Sequence, residues 1–342
     1  MNITVVIATK NRNLFLARTL NYYSTINFKG DIVIIDSSDS DELKKNLSTI
    51  SNLKNLKLSH QFFKGNIFQA LQLGSSLIKT DYAICSGDDD YIVPQGIKKC
   101  IETLKKKAAD YTAIHGQTLL LGLKENNLSL VDGVTKYFEP TCEQNSAKER
   151  LKKLYSHYGL LNFAVFKTQD FQKSFQCFNQ FGNKIGALHE ILNQSLLAVS
   201  GKIGRIETLS VVRTIHPQRN TVKSISILIK TENFDQLSKF FISYLSNQVS
   251  LKDGISKEQS EIFVKELFNE LIKKRKKGSK SFKVSLKSKL VKIFIFIGLF
   301  KIILKILHYL SPFSLRNLLE KNSLYNESFS PVYESITRFQ LK

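Results

Sequence analysis

Short apolar runs alternate with amphipathic segments over the first hundred residues of the chain. The runs Ile3–Ala8, Asp31–Asp36 and Asp81–Cys85 are rich in β-branched and other apolar residues, which is typical of buried strands. Arg12–Thr25 and Phe68–Ile78 carry apolar residues at helical spacing. Continuous apolar strands separated by helices of about 10–15 residues indicate βαβ units and a parallel sheet covered on both faces.

The pattern changes after residue 110. Tyr111–Leu123 and Leu128–Phe138 are predicted as two strands of a β-hairpin that turns around Asn126-Asn127. Leu160–Phe166 and Ile203–Thr214 are predicted as further strands, with helices between them. Ser224–Lys274 has helical periodicity and little strand character. We therefore predict an α/β domain over residues 1–222 and a helical extension over 223–272.

Three consecutive carboxylates, Asp88, Asp89 and Asp90, follow the predicted strand that ends at Cys85. In open parallel sheets, ligands bind beyond the carboxyl ends of the strands. Adjacent carboxylates repel one another, so a crowded site needs a cation, and oxygen ligands suit Mg2+ or Mn2+. The alternative is a solvated acidic turn that caps the next helix. The buried strand before the run and Pro94 at the start of the next helix favour a metal site.

The string Tyr82–Pro94 resembles the DxD region of family 2 glycosyltransferases, which have the GT-A fold, a Rossmann-like and mostly parallel sheet flanked by helices. In that family an acidic pair ends the strand and a proline follows four residues later, as Pro94 follows Asp90. The resemblance implies that Asp88 and Asp90 flank the diphosphate of a nucleotide sugar, and that Asp88 and Asp89 contact the donor. It also implies that Asp88 and Asp90 hold the metal, with Asp90 the more direct ligand.

Three other segments resemble the nucleotide site of the same family. Ala8-Thr9-Lys10-Asn11-Arg12 is similar to the T-x-N-R turn after the first strand, and Lys64-Gly65-Asn66 is similar to a loop beside the nucleotide. Asp36 ends the second strand, where the family places an acid near the base or ribose. The family often has two acids followed by Gly-Ser there, and Asp36-Ser37-Ser38 departs from that pattern. The resemblance implies donor contacts from Ala8, Thr9, Asn11, Arg12, Asp36, Lys64 and Asn66.

An inverting sugar transfer needs a general base that takes the proton from the acceptor hydroxyl. In the family this base is an acid at the start of a helix, about a hundred residues after the DxD, often within Glu-Asp. The matching stretch here contains His189-Glu190. The resemblance implies Glu190 as the base, with His189 as the second choice. The alternative is that Glu190 only interacts favourably with the helix dipole.

Val211–Arg219, at the end of the last predicted strand, resembles the R-x-x-H ending of several relatives. The resemblance implies that Arg213 and Arg219 neutralise phosphate charge, since arginine pairs well with phosphate. It also implies that His216 is a further metal ligand or a diphosphate contact. An ordinary loop histidine is the alternative.

The charge of the chain is concentrated near its C-terminus. There are 50 Lys and Arg against 29 Asp and Glu, and Leu271–Leu319 contains no acid at all. Lys283–Leu310 mixes lysines with Phe, Ile and Leu, and its longest uncharged stretch is far shorter than the roughly 20 residues of a membrane span. We therefore predict that residues 273–342 form a basic amphipathic region on an anionic membrane surface. A helix packed on the catalytic domain and nucleic-acid binding through Lys273–Lys277 are the alternatives.

Nucleic acid is not the predicted partner, because the aromatic residues of this segment are packed among Ile and Leu rather than spaced for base stacking. The four cysteines show neither CxxC spacing nor a nearby zinc-type histidine, which favours reduced, buried thiols. The N-terminus begins with strand-like Ile3–Ile7 instead of a signal peptide. The expected location is therefore the cytoplasm, peripheral on the inner face of the cell membrane.

Together these features predict a metal-dependent, inverting glycosyltransferase. Its donor would be a nucleotide-diphospho-sugar, and its acceptor a glycan or a lipid-linked sugar in bacterial surface polysaccharide synthesis. A nucleotidyltransferase acting on a sugar phosphate is one alternative, but that class usually opens with a Gly-rich loop and Ala8–Arg12 has no glycine. A non-catalytic basic adaptor on a transferase scaffold is another, and its function would survive Asp90→Ala.

Overall fold

The computed structural model describes residues 1–107, 110–178, 187–218, 234–278, 313–320, 323 and 325–340. The strands are β1 (Ile3–Thr9), β2 (Asp31–Asp36), β3 (Lys57–Phe62), β4 (Tyr82–Gly87), β5 (Asp90–Ile92), β6 (Tyr111–Lys124), β7 (Asn127–Lys136), β8 (Val165–Lys167) and β9 (Lys202–Ile215). The helices are α1 (Asn13–Thr25), α2 (Ser40–Ser51), α3 (Ile67–Ser76), α4 (Pro94–Lys107), α5 (Ala147–Ser156), α6 (Thr168–Phe175), α7 (Ala187–Ser200), α8 (Phe234–Asp253), α9 (Lys257–Gly278), α10 (Leu315–Leu319) and α11 (Asn326–Thr337).

The strands of the described residues form one mixed sheet in the order β3-β2-β1-β4-β8-β6-β9-β5, with β7 paired to β6. The N-terminal strands β3, β2, β1 and β4 are parallel, as the sequence predicts. The short strand β8 is antiparallel to both β4 and β6. The predicted α/β class is therefore confirmed, with a parallel half and a mixed half.

The register brings three strand ends to one edge of the sheet. Thr9 lies opposite Asp36, and Ala8 lies opposite Gly87, so the turns after β1, β2 and β4 are neighbours. On the far side, β5 pairs with β9 and places Asp90 opposite Arg213. The sequence pattern did not predict β5, because a run that opens with a carboxylate is not typical of a strand.

Alternate side chains of β1 enter two separate apolar clusters. Ile3, Val5 and Ile7 pack with α1 and α4, whereas Val6 packs towards α3, α6 and α7. A Cβ at Gly74 of α3 would lie 2.6 Å from Val6 Cγ1, so this glycine permits a close helix–strand approach. Both faces of the parallel half are therefore covered, as the apolar strands predict.

One predicted strand is shorter in the structure. The expected strand Leu160–Phe166 is reduced to Val165–Lys167, because the Ala164 amide bonds the Leu161 carbonyl and closes a turn there. Periodicity cannot distinguish a short apolar turn from a buried strand. This turn contains Phe163, whose ring contacts Arg213 in the site described below.

Helices α8 and α9 pack as a pair against α5 and α7. Phe241, Leu245 and Val249 of α8 are fully buried in the same apolar cluster as α7. At the end of α8, the Asp253 carboxylate accepts hydrogen bonds from the Ala147 amide at 2.6 Å and the Lys148 amide at 2.9 Å. These are unpaired amides of the first turn of α5, so the carboxylate fastens the extension to the domain.

The last two described helices also pack on the α/β domain. Phe329, Val332 and Ile336 of α11 are fully buried among residues of α1 and the β6–β7 hairpin. The predicted basic region 273–342 therefore ends in helices that belong to the domain core. Residues 279–312, which carry the predicted amphipathic segment, lie outside the described residues. Within the described ranges, no helix is long and apolar enough to cross a membrane.

Candidate active site

The acidic run lies in a buried turn between β4 and β5. Asp88 is 4 % exposed, and its Oδ2 accepts a hydrogen bond of 2.7 Å from Thr9 Oγ1. Its Oδ1 lies 3.3 Å from Arg12 Nε. The predicted residues Thr9, Arg12 and Asp88 are thus brought together by the parallel pairing of β1 and β4.

Asp89 is held by two basic side chains. Arg12 Nη2 lies 2.5 Å from its Oδ2, and His216 Nε2 lies 2.8 Å from the same oxygen. The His216 ring stacks on Phe15 at a centroid distance of 4.3 Å. The Arg12 guanidinium also lies over Phe15, at 4.5 Å. Phe15 therefore supports both side chains that contact Asp89.

Asp90 is held less tightly than its neighbours. Arg213 Nε lies 3.5 Å from its Oδ2, and the Thr214 amide donates to its Oδ1 at 3.3 Å. The Arg213 guanidinium instead lies over the Phe163 ring, 4.0 Å from its centroid. Asp90 is nevertheless almost fully buried. Burial without short polar contacts makes its ionised form costly.

The three carboxyls differ in acidity for physical reasons. Burial and the neighbouring Asp89 charge raise the pKa of Asp88 to about 7, and burial raises the pKa of Asp90 to about 6. Burial also opposes ionisation of Asp89, but hydrogen bonds from His216 and Arg12 hold the pKa of that carboxyl below its usual value. The turn therefore carries two carboxyls whose negative charge is incompletely balanced.

The residues present fit a hard divalent cation. Mg2+ is usually bound by one or two carboxylates together with substrate phosphates, and Asp88 and Asp90 supply such carboxylates. Within the described part of the chain, no group of three or more His, Cys, Asp or Glu is arranged to hold a metal by itself. His216 Nε2, which was predicted as a metal ligand, lies 2.8 Å from Asp89 Oδ2 and 3.3 Å from Arg12 Nη2.

Asp36, predicted near the base or ribose, is fully buried and bound by its own chain. Its Oδ2 accepts from Asn46 Nδ2 at 2.8 Å and lies 3.3 Å from His60 Nε2, and its Oδ1 accepts from the Ser38 amide at 2.9 Å. Burial opposes its ionisation, but hydrogen bonds from His60, Ser38 and Asn46 hold the pKa of Asp36 below its usual value. The structure thus gives Asp36 internal partners on both oxygens.

Asn11 fixes the turn that carries Arg12. Its backbone has φ of 54°, in the left-handed region where Asn is tolerated better than most residues. Its amide donates to Ser38 Oγ at 2.8 Å, and its side chain exchanges hydrogen bonds with Asp39 at 2.6 and 2.8 Å. The turns after β1 and β2 are therefore joined, and Arg12 is directed towards the acidic turn.

The other predicted donor residues line the same edge. Asn66 caps α3 through its Oδ1, with Gln69 completing a capping box, and its buried Nδ2 has no hydrogen-bond partner among the described residues. Lys64 is exposed, and Ala8 is half-buried at the end of β1. Asn66 Nδ2 is thus a donor that a ligand could satisfy.

The two candidate bases lie in different environments. His189 is fully buried and stacked on Phe68 at 4.9 Å, with Phe178 packed against its edge at 5.0 Å. Glu190 is half-buried in the first turn of α7 and accepts from Tyr158 Oη at 3.4 Å. A group enclosed by aromatic rings cannot meet a substrate, so the environments favour Glu190. Arg219 lies outside the described residues.

Sequence reasoning missed the residues that hold the site together. In the sequence, Phe15 is only a position of the predicted helix Arg12–Thr25, and Tyr137 and Phe163 are only positions within the predicted strands Leu128–Phe138 and Leu160–Phe166. In the structure, Phe15 supports Arg12 and His216, while the Arg213 guanidinium contacts both Tyr137 and Phe163. A cavity of about 830 Å3 lies beside the Arg12 turn, between α1 and α2, and its lining includes Asn11, Arg12 and Phe15.

Comparison with known proteins identifies the family. Residues 4–181, more than half of the chain, match the family model described as Glycosyl transferase family 2. The protein belongs to glycosyl transferase family 2. The predicted membership of this family is therefore confirmed.

Solved structures share the fold of this protein. S. aureus TarS 1-349 is similar with a TM-score of 0.52 and 13 % identity, over 84 % of this chain and 77 % of that one. TarS 1-349 in complex with UDP-GlcNAc is similar with a TM-score of 0.53 and 14 % identity, over 84 % and 78 %. Such identities compare folds only, and they confirm the predicted GT-A architecture. No curated protein sequence matches the chain.

Proposed function

We propose that this family 2 protein transfers a sugar from a nucleotide-diphospho-sugar to a glycan or lipid-linked acceptor, with inversion at the anomeric carbon. The observation that carries the proposal is the buried turn Asp88–Asp90, whose charge is only partly balanced by Arg12 and Arg213. A buried carboxylate pair beside two arginines suits a ligand that combines a divalent cation with a diphosphate.

The donor side is formed by the ends of β1, β4 and β9. Thr9 and Arg12 approach from one side of the acidic turn, and Arg213 from the other. These side chains would bind the diphosphate and orient the sugar towards α7. The complex of TarS with UDP-GlcNAc supports a uridine diphosphate sugar as the first donor to test.

Mg2+ or Mn2+, held by Asp88 and Asp90, would act as a Lewis acid that stabilises negative charge on the departing diphosphate. Arg12 and Arg213 contribute to the same stabilisation, since their guanidinium groups are fixed before the reaction by Phe15 and Phe163. Fixed positive charges cost no reorganisation when the diphosphate leaves.

Glu190 acts as the base in this proposal. Its carboxylate takes the proton of an acceptor hydroxyl while that oxygen forms a bond to the anomeric carbon. The bond between the anomeric carbon and the diphosphate oxygen breaks, and the nucleoside diphosphate leaves with the electron pair. Attack opposite to the leaving group inverts the anomeric configuration.

The test is nucleoside diphosphate release from a panel of UDP-, GDP- and dTDP-sugars, with Mn2+ or with EDTA. We expect release with one donor class, in the presence of metal and an acceptor, and a product of inverted configuration by NMR. Folded protein that turns over no donor of the panel would contradict the proposal, and a product of retained configuration would contradict the role of Glu190.

Membrane association in surface polysaccharide synthesis, on the inner face of the cell membrane, is the second part of the proposal. The cluster Lys273–Lys277 supports it, because each basic residue near an anionic surface contributes about 1 kcal/mol. Deletion of the C-terminus would remove the core residues of α11, so substitution is the better test. Replacing all five residues with Gln should lower binding to phosphatidylglycerol vesicles by about 100-fold or more at low salt. Equal binding by both proteins would contradict this part.

A further inference from the structure

Four aromatic side chains form a rim beside Glu190. Tyr137 and Phe138 follow β7, and His157 and Tyr158 follow α5, the next element along the chain. The rings of Phe138 and His157 lie 6.4 Å apart. Phe138 is 57 % exposed, so the face of its ring is open to solvent or to a ligand. We call these four residues the aromatic rim.

One hydrogen bond joins the rim to the candidate base, and another fixes Tyr137. Tyr158 Oη donates to Glu190 Oε1 at 3.4 Å, and Tyr137 Oη accepts from the Leu160 amide at 3.1 Å. Tyr158 also packs edge-on against the buried ring of Tyr155. The half-buried tyrosines therefore have fixed orientations, while Phe138 and His157 remain exposed at the outer end.

Arg213 joins the rim to the donor side. Its guanidinium lies 5.5 Å from the centroid of Tyr137 and 4.0 Å from that of Phe163, and its Nε is 3.5 Å from Asp90. One side chain thus contacts both the acidic turn and the inner end of the rim. A molecule lying on the rim would have its inner end between Glu190 and the diphosphate site.

We infer that the aromatic rim binds the acceptor, and that this acceptor presents a cyclic sugar rather than an acyclic polyol chain. The inference rests on the proposed function, because it takes Glu190 as the group that meets the acceptor hydroxyl. Flat rings remove the flat C–H face of a pyranose from water, and rigid aromatic side chains do so at low entropic cost. An acyclic polyol has no flat face, and it loses more conformational freedom on binding.

Binding to the rim can be measured without turnover. Saturation-transfer NMR on the full chain, with methyl pyranosides and with glycerol and ribitol as acyclic probes, should give signals from pyranoside ring protons only. Phe138→Ala should lose most of this signal. Leu130→Ala is the matched control, because Leu130 is 47 % exposed on the same hairpin, and it should keep the signal. Equal signals from ribitol, or an unchanged signal in Phe138→Ala, would overturn the inference.

A kinetic measurement separates the rim from the proposed function. With a donor that supports transfer, Phe138→Ala should raise the acceptor KM by about tenfold, as expected for the loss of one aromatic contact, and the donor KM much less. Leu130→Ala should change neither. Pyranoside binding at the rim without donor turnover would refute the proposed function alone, whereas turnover with an unchanged acceptor KM would refute the rim. Loss of vesicle binding in Phe138→Ala, with unchanged acceptor KM, would assign the rim to lipid instead.

Discussion

Strands β2 and β4 lie on opposite sides of β1, and a buried carboxylate lies at or just after the end of each. The pKa of one carboxylate is lowered and that of the other is raised. Asp36, after β2, has internal hydrogen bonds on both oxygens, and they hold its pKa below the usual value. Asp90, the first residue of β5, has contacts of 3.3 Å to the Thr214 amide and 3.5 Å to Arg213, and burial raises its pKa to about 6. Burial alone therefore does not imply that two carboxylates have the same role.

The difference lies in what surrounds each carboxylate. Asp36 faces the Asn46 side-chain amide, the Ser38 backbone amide and His60, and no second acid is among its hydrogen-bond partners in the described residues. Asp90 shares its turn with Asp88 and Asp89, whose charges oppose its own. A carboxylate whose oxygens are hydrogen-bonded within the protein stabilises the fold. A carboxylate whose negative charge is incompletely balanced favours the binding of a cation.

The largest expected effect is on catalysis by Asp90. We expect Asp90→Asn to lower kcat by about 10³-fold, because it removes a charge that holds the cation against the departing diphosphate. The melting temperature should stay equal or rise, since one of three repelling carboxylates is gone. Steady-state kinetics and thermal unfolding measure the two effects. Asp132→Asn, at an exposed position of β7, is the control; a variant Asp90→Asn that keeps wild-type kcat would contradict the role.

The second prediction extends the comparison to α7. Glu190→Gln should lower kcat by about 10²–10⁴-fold with little change in donor KM, because the base acts only on the acceptor hydroxyl. His189→Gln should instead lower stability by about 1–3 kcal/mol, since it disturbs a fully buried aromatic stack. Kinetics and urea unfolding of both variants decide between them. Loss of turnover without loss of stability in His189→Gln would exchange the two roles.

The third prediction is a change of stability at β2. Asp36→Asn should destabilise the fold by about 1–3 kcal/mol, because it weakens charge-assisted hydrogen bonds in a fully buried network. Asp90→Asn should not. Urea unfolding of the two variants tests this contrast. Comparable stability of wild type and Asp36→Asn, with altered preference among nucleoside diphosphates, would assign Asp36 to the nucleotide after all.

The smallest effect is a pH dependence of stability. The folded pKa values of Asp88 and Asp90, about 7 and about 6, lie above the unfolded value of 3.8, so the folded state binds more protons between these values. The free energy of unfolding should therefore fall as pH rises from about 4 to about 7 in EDTA. The lowered pKa of Asp36 has the opposite effect on the free energy of unfolding. Its stabilising contribution is present above pH 3.8 and is lost only as pH falls below that value.

Thermal unfolding in EDTA across this range, for wild type and for Asp88→Asn/Asp90→Asn, checks the sign. The double variant should lose most of the decline. A decline of the same size in the double variant would mean that other groups cause it.

The sequence predicts the parallel half of the sheet well, because β1, β2 and β4 are continuous apolar runs bounded by polar turns. It also predicts which turns meet at one edge, since parallel strands share that edge. It does not predict β5, whose pairing with β9 is a long-range contact that brings Asp90 opposite Arg213. Local periodicity contains no information about such a pair.

The candidate site, like the fold, could be predicted from the sequence only in part. The predicted contact of Thr9, Arg12 and Asp88 follows from strand order, and the structure brings these residues together. That Asp36 is satisfied internally, or that Phe15 supports His216, depends on Asn46, His60 and the rotation of α1. These contacts depend on how side chains pack in the folded protein, which the sequence motifs do not specify.

The most direct test of the contrast between β2 and β4 is Mn2+ binding followed by electron paramagnetic resonance, in the presence of UDP and at pH 7.5. Wild type and Asp36→Asn should bind Mn2+ with similar affinity, so that each lowers the signal of free Mn2+ to a similar extent. Asp90→Asn should bind about tenfold or more weakly, because a ligating carboxylate has been lost. Equal Mn2+ affinity in Asp90→Asn and wild type would contradict the assignment of the acidic turn as the cation site.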